Sequence, residues 1–361
     1  MTAGPVLLTW YAADLKSGII GEELRSLTPS GTIGRKLGAS VTANFNLDLN
    51  GAPPAWEAAT QPGRSMLVAV DTTTQVPLWA GLILTRDGGS SNVVQIGAVT
   101  PEAYLDRRYT GDYSGFALDQ AVIMTGVSQA VTTSAPPFIF DAPNTGTLTT
   151  YTVQDGDDRT VLSALQELMG QEGGAEFTVD VAWADTAHTT FNLPVRIRPK
   201  IGVQSTNPEV VFDFPGCISS YDVQESYESG KGATDVLAWG DGQGASRLKS
   251  AVYTATGLLG QGWPSWDYRY TPASGLTDPD QLNAHASEAL TQMQGGATAW
   301  TVEAVASRAP RLGSDWALGD SIRVHVARSP RHPNGADTVA RCYAWDLDAA
   351  GDKVKPTLLE E

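Results

Sequence analysis

The sequence predicts a mainly β chain with a few helices, a β-rich α+β fold, and three observations lead there. Apolar and polar residues alternate with period 2 in several separate stretches, as strands with one buried and one wet face do. Gly (37) and Pro (21) are more frequent than usual, which reads as many turns between short strands. Hydrophobic residues reach 42% against 18% charged, enough for packed interiors and too little charge for a disordered chain. At 361 residues, two or three domains are the natural division.

The first clear strand puts Val41, Ala43, Phe45, Leu47 and Leu49 on one face and Thr42, Asn44, Asn46, Asp48 and Asn50 on the other. Weaker helical stretches cover Pro101 to Arg108 and Leu118 to Val131, and the stretch Thr132 to Thr152 is rich in Ser, Thr, Pro and Gly, without a clear period. Asp157 or Asp158 is a candidate cap for a helix whose face carries Val161, Leu162, Leu165, Leu168 and Met169, with Gly173-Gly174 as its stop. Alternation returns at Phe177, Val179, Val181 and Trp183. Thr277 is a candidate cap for a second helix with Pro279 and Asp280 in its first turn and an apolar stripe of Leu282, Ala286, Ala289, Leu290 and Met293; Gly295-Gly296 ends it. A last alternating strand carries Ile322, Val324 and Val326.

One internal repeat stands out. Gly63-Arg64-Ser65-Met66-Leu67-Val68-Ala69-Val70 resembles Gly319-Asp320-Ser321-Ile322-Arg323-Val324-His325-Val326. An alternating strand precedes each copy (Phe45 to Leu49, Trp300 to Ala304), and an aromatic-bearing strand follows each (Trp79 to Leu84, Cys342 to Leu347). This order and spacing predict two related β domains, one at each end, with Val68 and Val70 equivalent to Val324 and Val326.

Reactive chemistry is hard to find. His188, His285, His325 and His332 form no H-x-x-x-H, and neither Cys217 nor Cys342 lies in a C-x-x-C, so no metal site is expected. The two cysteines are expected to be small core residues, with one long-range disulfide as the alternative. No G-x-S-x-G elbow is present, and Ser65 and Ser321 read as strand entries. Asp346-Leu347-Asp348-Ala349-Ala350-Gly351 lacks the ligands of an EF-hand and reads as a hairpin turn. Gly240-Asp241-Gly242-Gln243-Gly244 has the wrong spacing for a dinucleotide site, and Ser229-Gly230-Lys231-Gly232 lacks the flanks of a P-loop. No catalytic residue, cofactor or metal is assigned. Forty acidic residues and ten tryptophans, Trp263 and Trp266 among them, leave a carbohydrate-binding or carbohydrate-active β protein as a rival.

Lys and Arg number 24 against 40 Asp and Glu, a net charge of −16. Such a surface repels phosphate backbones and anionic membranes, although it does not stop DNA from passing by. No basic residue precedes Lys16, the longest apolar run (Val76 to Leu84) is far short of the ~20 residues of a membrane helix, and no Asn sits in a glycosylation sequon. A cytoplasmically made protein without membrane insertion is expected.

From Phe212 onward the layout resembles the baseplate or tail hub proteins of long-tailed bacteriophages. The resemblance is carried by Asp222-Val223-Gln224-Glu225-Ser226, Asp235-Val236-Leu237-Ala238-Trp239-Gly240-Asp241-Gly242, the helix Thr277 to Gln294, the strand Trp300 to Val305, Leu318-Gly319-Asp320-Ser321-Ile322-Arg323-Val324 and Val354-Lys355-Pro356-Thr357-Leu358. The segment Asp157 to Trp183 is similar to that family's second domain, and the composition resembles a siphovirus-type minor tail protein of an actinobacterial phage. The resemblance implies tube-like β-barrel hub domains at 1–108 and 213–361, the latter with a helical insertion around 258–296, flanking a smaller α+β domain at 109–212. It further implies a homotrimer whose paired β domains make a pseudo-six-fold ring at the tail tip of the virion. That ring adapts the six-fold tube to a three-fold tip and conducts double-stranded DNA. Its partners would be the distal tail protein or tail tube, tip or fibre proteins and the tape measure. A hexameric distal-tail adaptor is the alternative. Gly63, Ser65, Val68, Val70, Gly319, Asp320, Ser321, Val324 and Val326 are the expected repeat-strand positions, and Asp48 and Asp71, taken as wet-face acids, are candidates for an acidic channel lining.

Overall fold

The computed structural model describes residues 5–171, 173–240, 244, 247–271 and 279–360. It is a β-rich α+β fold, 43% strand and 15% helix. The chain divides into two compact units, Met1–Tyr221 with Val302–Leu358, and Asp222–Thr301 with Leu359–Glu361.

The first sheet runs Ile20–Glu23, Leu8–Asp14, Ser65–Asp71, Pro77–Asp87, Val93–Val99, Thr42–Asp48, Leu27–Pro29, with every neighbouring pair antiparallel. The alternation around Phe45 holds: Ala43, Phe45 and Leu47 are buried, while Thr42, Asn44 and Asp48 are exposed. Ser65–Asp71 differs, because all seven of its residues are buried. One face, with Met66, Val68 and Val70, joins a core that includes Ile123, Met124, Leu165, Phe177 and Val195. On the other face Ala69 lies across from Trp79, whose ring packs against Trp10 and Phe45. A strand covered on both faces loses the polar half of its pattern.

The second sheet runs Val211–Phe214, Ser321–Val326, Ala336–Asp348, Lys353–Leu359, Ala297–Val305, Ile218–Ser226. Numbered in chain order, its strands lie 1-4-5-6-3-2. The first sheet, setting aside the edge strand Ile20–Glu23, has the same order. The repeated octapeptides both fall at strand four, and Gly63 and Gly319 both take positive φ, +73° and +92°. The sheets differ at strand one: Leu8–Asp14 is antiparallel to its neighbour, whereas Val211–Phe214 is parallel. A strand from the N-terminal region, Ile33–Lys36, pairs with Ala336–Asp348 in the second sheet.

Between these segments in sequence lies a smaller sheet in which Phe191–Arg198 is flanked by Phe138–Asp141 and Glu176–Val179. A two-stranded ribbon (Tyr113–Asp119 with Leu148–Val153) and the helices Gln120–Val127 and Val161–Met169 complete this region. The cap of Val161–Met169 is Thr160, whose Oγ1 accepts from the Ser163 amide at 3.2 Å, rather than Asp157 or Asp158. Asp157 is occupied in a short 3₁₀ turn, where its carboxylate accepts from the Gln154 amide. The helix ends at Gly170, ahead of Gly173-Gly174. The second unit holds the helix Pro279–Met293, packed through Leu282, Ala286 and Met293 on Val236 and Ala238. Its expected cap, Thr277, lies outside the described residues.

Cys217 and Cys342 are free thiols and buried. Among the described residues no helix is long and apolar enough to cross a membrane.

Candidate functional site: a buried ionic joint

Three arginines tie the sheets and the middle region of the first unit together from inside. Arg341, mid-strand in the second sheet and 2% exposed, reaches Glu176 with both terminal nitrogens, one of them at 2.6 Å. It also donates from Nε to the Gly319 carbonyl at 2.9 Å and from Nη2 to the Ile201 carbonyl at 2.7 Å. Glu176 in turn accepts from the Ile201 amide at 2.8 Å. Arg311 grips Asp71 in a two-point contact, Nε to Oδ2 at 2.6 Å and Nη2 to Oδ1 at 2.7 Å. Arg35, on the strand that crosses between sheets, pairs with Asp180 at 2.7 Å and donates to Thr178 Oγ1 and the Val179 carbonyl. Arg196 meets the other oxygen of Asp180 at 2.5 Å. The planar guanidinium fork suits each of these sites, because it fills two or more acceptors at fixed angles.

Burial by itself would push the carboxyls of Asp71 and Asp180 up. For Asp71 the hydrogen bonds and charge of Arg311, with the bonds from Thr73 and Thr74, together outweigh it, and for Asp180 the charges and hydrogen bonds of Arg35 and Arg196 together do, so both titrate below the ordinary value of 3.8. A carboxylate whose folded value lies below its unfolded one adds stability that is complete above the unfolded value. That stability is lost as the pH falls through the folded value. Glu102, 1% exposed, is the opposite case: burial holds its carboxyl above the ordinary range despite the nearby Arg35 charge. Its cost to folding is absent at low pH and grows as the pH rises through its unfolded value. We expect the joint to hold at neutral pH and weaken below about pH 4. Denaturant midpoints at pH 6 and pH 3 check this, with Asp180→Asn flattening the profile; a midpoint unchanged at pH 3 would rule it out.

Of the repeat residues, Gly319 touches this joint through its carbonyl. Gly319, Asp320 and Ser321 fasten the second sheet to the chain near Ile201. Asp320 Oδ1 accepts from the Val203 amide at 2.6 Å, Oδ2 accepts from the Ala317 amide, and Ser321 Oγ accepts from the Ser205 amide. A Cβ on Gly319 would lie 2.3 Å from the Ile201 carbonyl oxygen, and one on Gly202 would lie 2.2 Å from the Gly319 carbonyl carbon. Gly63 has nothing within 4 Å of its Cβ position. Val324 and Val326 are buried, as are Ser65, Val68 and Val70.

Asp71 must be corrected. Taken from the sequence as a wet-face acid, it is 0% exposed, since strand Ser65–Asp71 is covered on both sides and Arg311 neutralises it. It cannot line a channel. Asp48 is exposed at its strand end, accepting from the amide and side chain of Asn50.

None of Arg35, Glu102, Glu176, Asp180, Arg311 and Arg341 was singled out by sequence reasoning. Arg341 and Glu176 sit in strands where a charged side chain would ordinarily mark the wet face. Among the described residues no group of three or more His, Cys, Asp or Glu is placed to hold a metal ion. A cavity of about 360 Å³ beside the joint is lined by Arg35, Asp180, Arg196, Leu312 and Trp345. There Arg35 and Arg196 share the single carboxylate of Asp180.

No protein-family model matches the chain, and no curated protein does. Solved structures do. A tail protein from Neisseria meningitidis MC58 aligns with TM-score 0.62 at 14% identity, covering 99% of this chain and 97% of that one. The 43 kDa tail protein of prophage MuSo2 from Shewanella oneidensis gives 0.62 at 13%, covering 97% of each chain. A prophage tail protein from Listeria monocytogenes EGD-e gives 0.55 at 11%, covering 98% and 94%. The chain shares its fold with phage tail proteins. Because the alignment runs nearly end to end in all three, the shared fold takes in both sheets, the middle region and the second unit.

Proposed function

We propose that this chain is a structural protein of a phage tail, a trimeric hub that forms a channel through which DNA leaves. The observation that carries the reading is the pair of sheets with one strand order, 1-4-5-6-3-2, inside a single chain whose fold is that of phage tail proteins along nearly its whole length. We take the sheets as two related copies, one in the region 1–108 and one that begins with Val211–Phe214, across the expected start of the region 213–361, with Val68 and Val70 equivalent to Val324 and Val326. Two copies per chain and three chains give six near-equivalent positions in a closed ring, which matches a six-fold tube above and a three-fold tip below. The site of action in this reading is the tail tip of a siphovirus-type, actinobacterial virion, beside the tail tube or distal tail protein, the tape measure and the tip or fibre proteins.

Catalysis has no place in this reading. The buried carboxylates Asp71 and Glu176 and the half-buried Asp180 are each held by arginine, and Glu102 is closed off from any substrate. A net charge of −16 per chain favours passage of DNA over adhesion, because a basic lumen would hold phosphates by many contacts. Asp48 remains the candidate for an acidic lining.

Light scattering on the purified protein is expected to give three times the 38.2 kDa chain mass, and electron microscopy a ring with three-fold symmetry. A six-fold particle would favour the distal-tail adaptor instead, and a monomer at all concentrations would end the hub reading.

A further inference from the structure

We propose that the ribbon of Tyr113–Asp119 and Leu148–Val153 is the surface by which one copy of this chain docks on the next. The proposal rests on the hub reading above and names the contact that builds the ring. Phe116, Leu148 and Leu118 project from this ribbon with 68%, 66% and 39% of their surface exposed. They are not core residues waiting for space. The inner side of the ribbon is already filled: Tyr151 and Val153 are buried, and the Tyr113 ring lies so close over Gly126 that a Cβ there would come within 2.4 Å of it. Leu118 pairs with Thr149 and Leu148 with Asp119, one register step apart, so the two leucines leave the ribbon on opposite faces and Leu148 shares its face with the exposed Thr150 and Thr152.

The backbone is irregular beside Phe116. Ala117 sits in the left-handed region at φ +50°, its amide donates to Thr150 Oγ1 at 3.1 Å, and the strand register shifts between Thr149 and Tyr151. A non-glycine residue in that region is disfavoured, and such conformations persist where the surroundings enforce them.

Charge decides the occupant. Residues 113–154 contain two charged side chains, Asp119 and Asp141, where the chain's 18% average would place about seven. Both are spent within the fold. Asp119 accepts from the amides of Ala121, Thr145 and Gly146, and Asp141 is paired with Arg198 at 2.6 Å. A basic partner would be drawn to the acidic surface that makes up the rest of a −16 chain. A second copy carries the same −16 and is repelled there, so like copies meet best where neither presents charge. Interface centres are depleted of charge for this reason. In a three-fold ring the contact is heterologous, so the ribbon faces a different patch of its neighbour.

The test compares the oligomeric state of three full-length proteins by light scattering over a concentration series. The double variant Phe116→Asp, Leu148→Asp is expected to fall to monomers, with its dissociation constant raised at least 100-fold and its circular dichroism and melting of the monomer intact. A control that places the same charges on exposed apolar residues off the ribbon, Leu7→Asp with Ile19→Asp, is expected to stay trimeric. Should the aspartates unfold the ribbon, Phe116→Ser with Leu148→Thr reads the same contact as an assembly at least 10-fold weaker. A folded ribbon variant that remains fully trimeric beside a trimeric unmodified protein overturns this proposal and leaves the hub reading standing. An unmodified protein that is monomeric throughout overturns both.

Discussion

Replacing Arg341 with methionine is expected to lower the stability of the first unit by about 3–5 kcal/mol, the cost of stranding a buried charge. Methionine fills much of the same space, so the loss comes from Glu176, which keeps its burial and is left with Lys200 at 3.6 Å and the Ile201 amide, and from the Gly319 and Ile201 carbonyls, which are left sharing the Gln204 side-chain amide. The companion change Glu176→Gln removes the stranded charge. The double variant is therefore expected to recover part of the loss and to be more stable than Arg341→Met alone. Urea unfolding followed by tryptophan fluorescence gives the three values, and the non-additive part is the coupling between the two residues. If Arg341→Met unfolds within about 1 kcal/mol of the unmodified protein, the ionic joint holds nothing together. The same cycle on Asp71 and Arg311, fully buried at the far edge of Ser65–Asp71, is the independent check.

Local pattern made the strands legible. Ala43, Phe45 and Leu47 are buried because alternation is a property of a few neighbouring residues, and so are Ile322, Val324 and Val326. The apolar stripes of Val161–Met169 and Pro279–Met293 were legible for the same reason. What escaped is non-local. Nothing in Ile33-Gly34-Arg35-Lys36 announces that it pairs with Ala344 to Leu347, more than 300 residues along the chain. Asp71 follows a run of aliphatic residues and precedes three threonines, which reads as a strand ending in solvent. Only the fold reveals that Arg311 arrives from 240 positions away to bury it. The ribbon shows the converse limit. The polar, turn-rich stretch Thr132 to Thr152 reads as a loop, and only the fold shows Leu148–Val153 pairing with Tyr113–Asp119 and leaving Phe116 and Leu148 exposed.

Alanine at the two repeat glycines is expected to give very unequal results. Both take positive φ, so alanine is strained at each, at a cost of about 1–2 kcal/mol. At Gly63 that is the whole expected effect, since a Cβ would enter open space. At Gly319 the methyl group would also lie 2.3 Å from the Ile201 carbonyl oxygen and 3.0 Å from the Ile201 side chain, where Gly202 and Gly319 pack backbone to backbone. Neither neighbour can yield freely, because Arg341 holds the carbonyls of both Ile201 and Gly319 and Asp320 holds the Val203 amide. Gly319→Ala is accordingly expected to cost more than about 3 kcal/mol, among the larger single-residue effects. It should also weaken the Arg341–Glu176 coupling measured above, because relief of the overlap has to move one of the two carbonyls. Equal losses for Gly63→Ala and Gly319→Ala would mean that φ alone governs both positions and that the close approach at Ile201 relaxes without cost. Equivalent places in two sheets of one strand order would then differ in sequence surroundings but not in what they demand of the backbone.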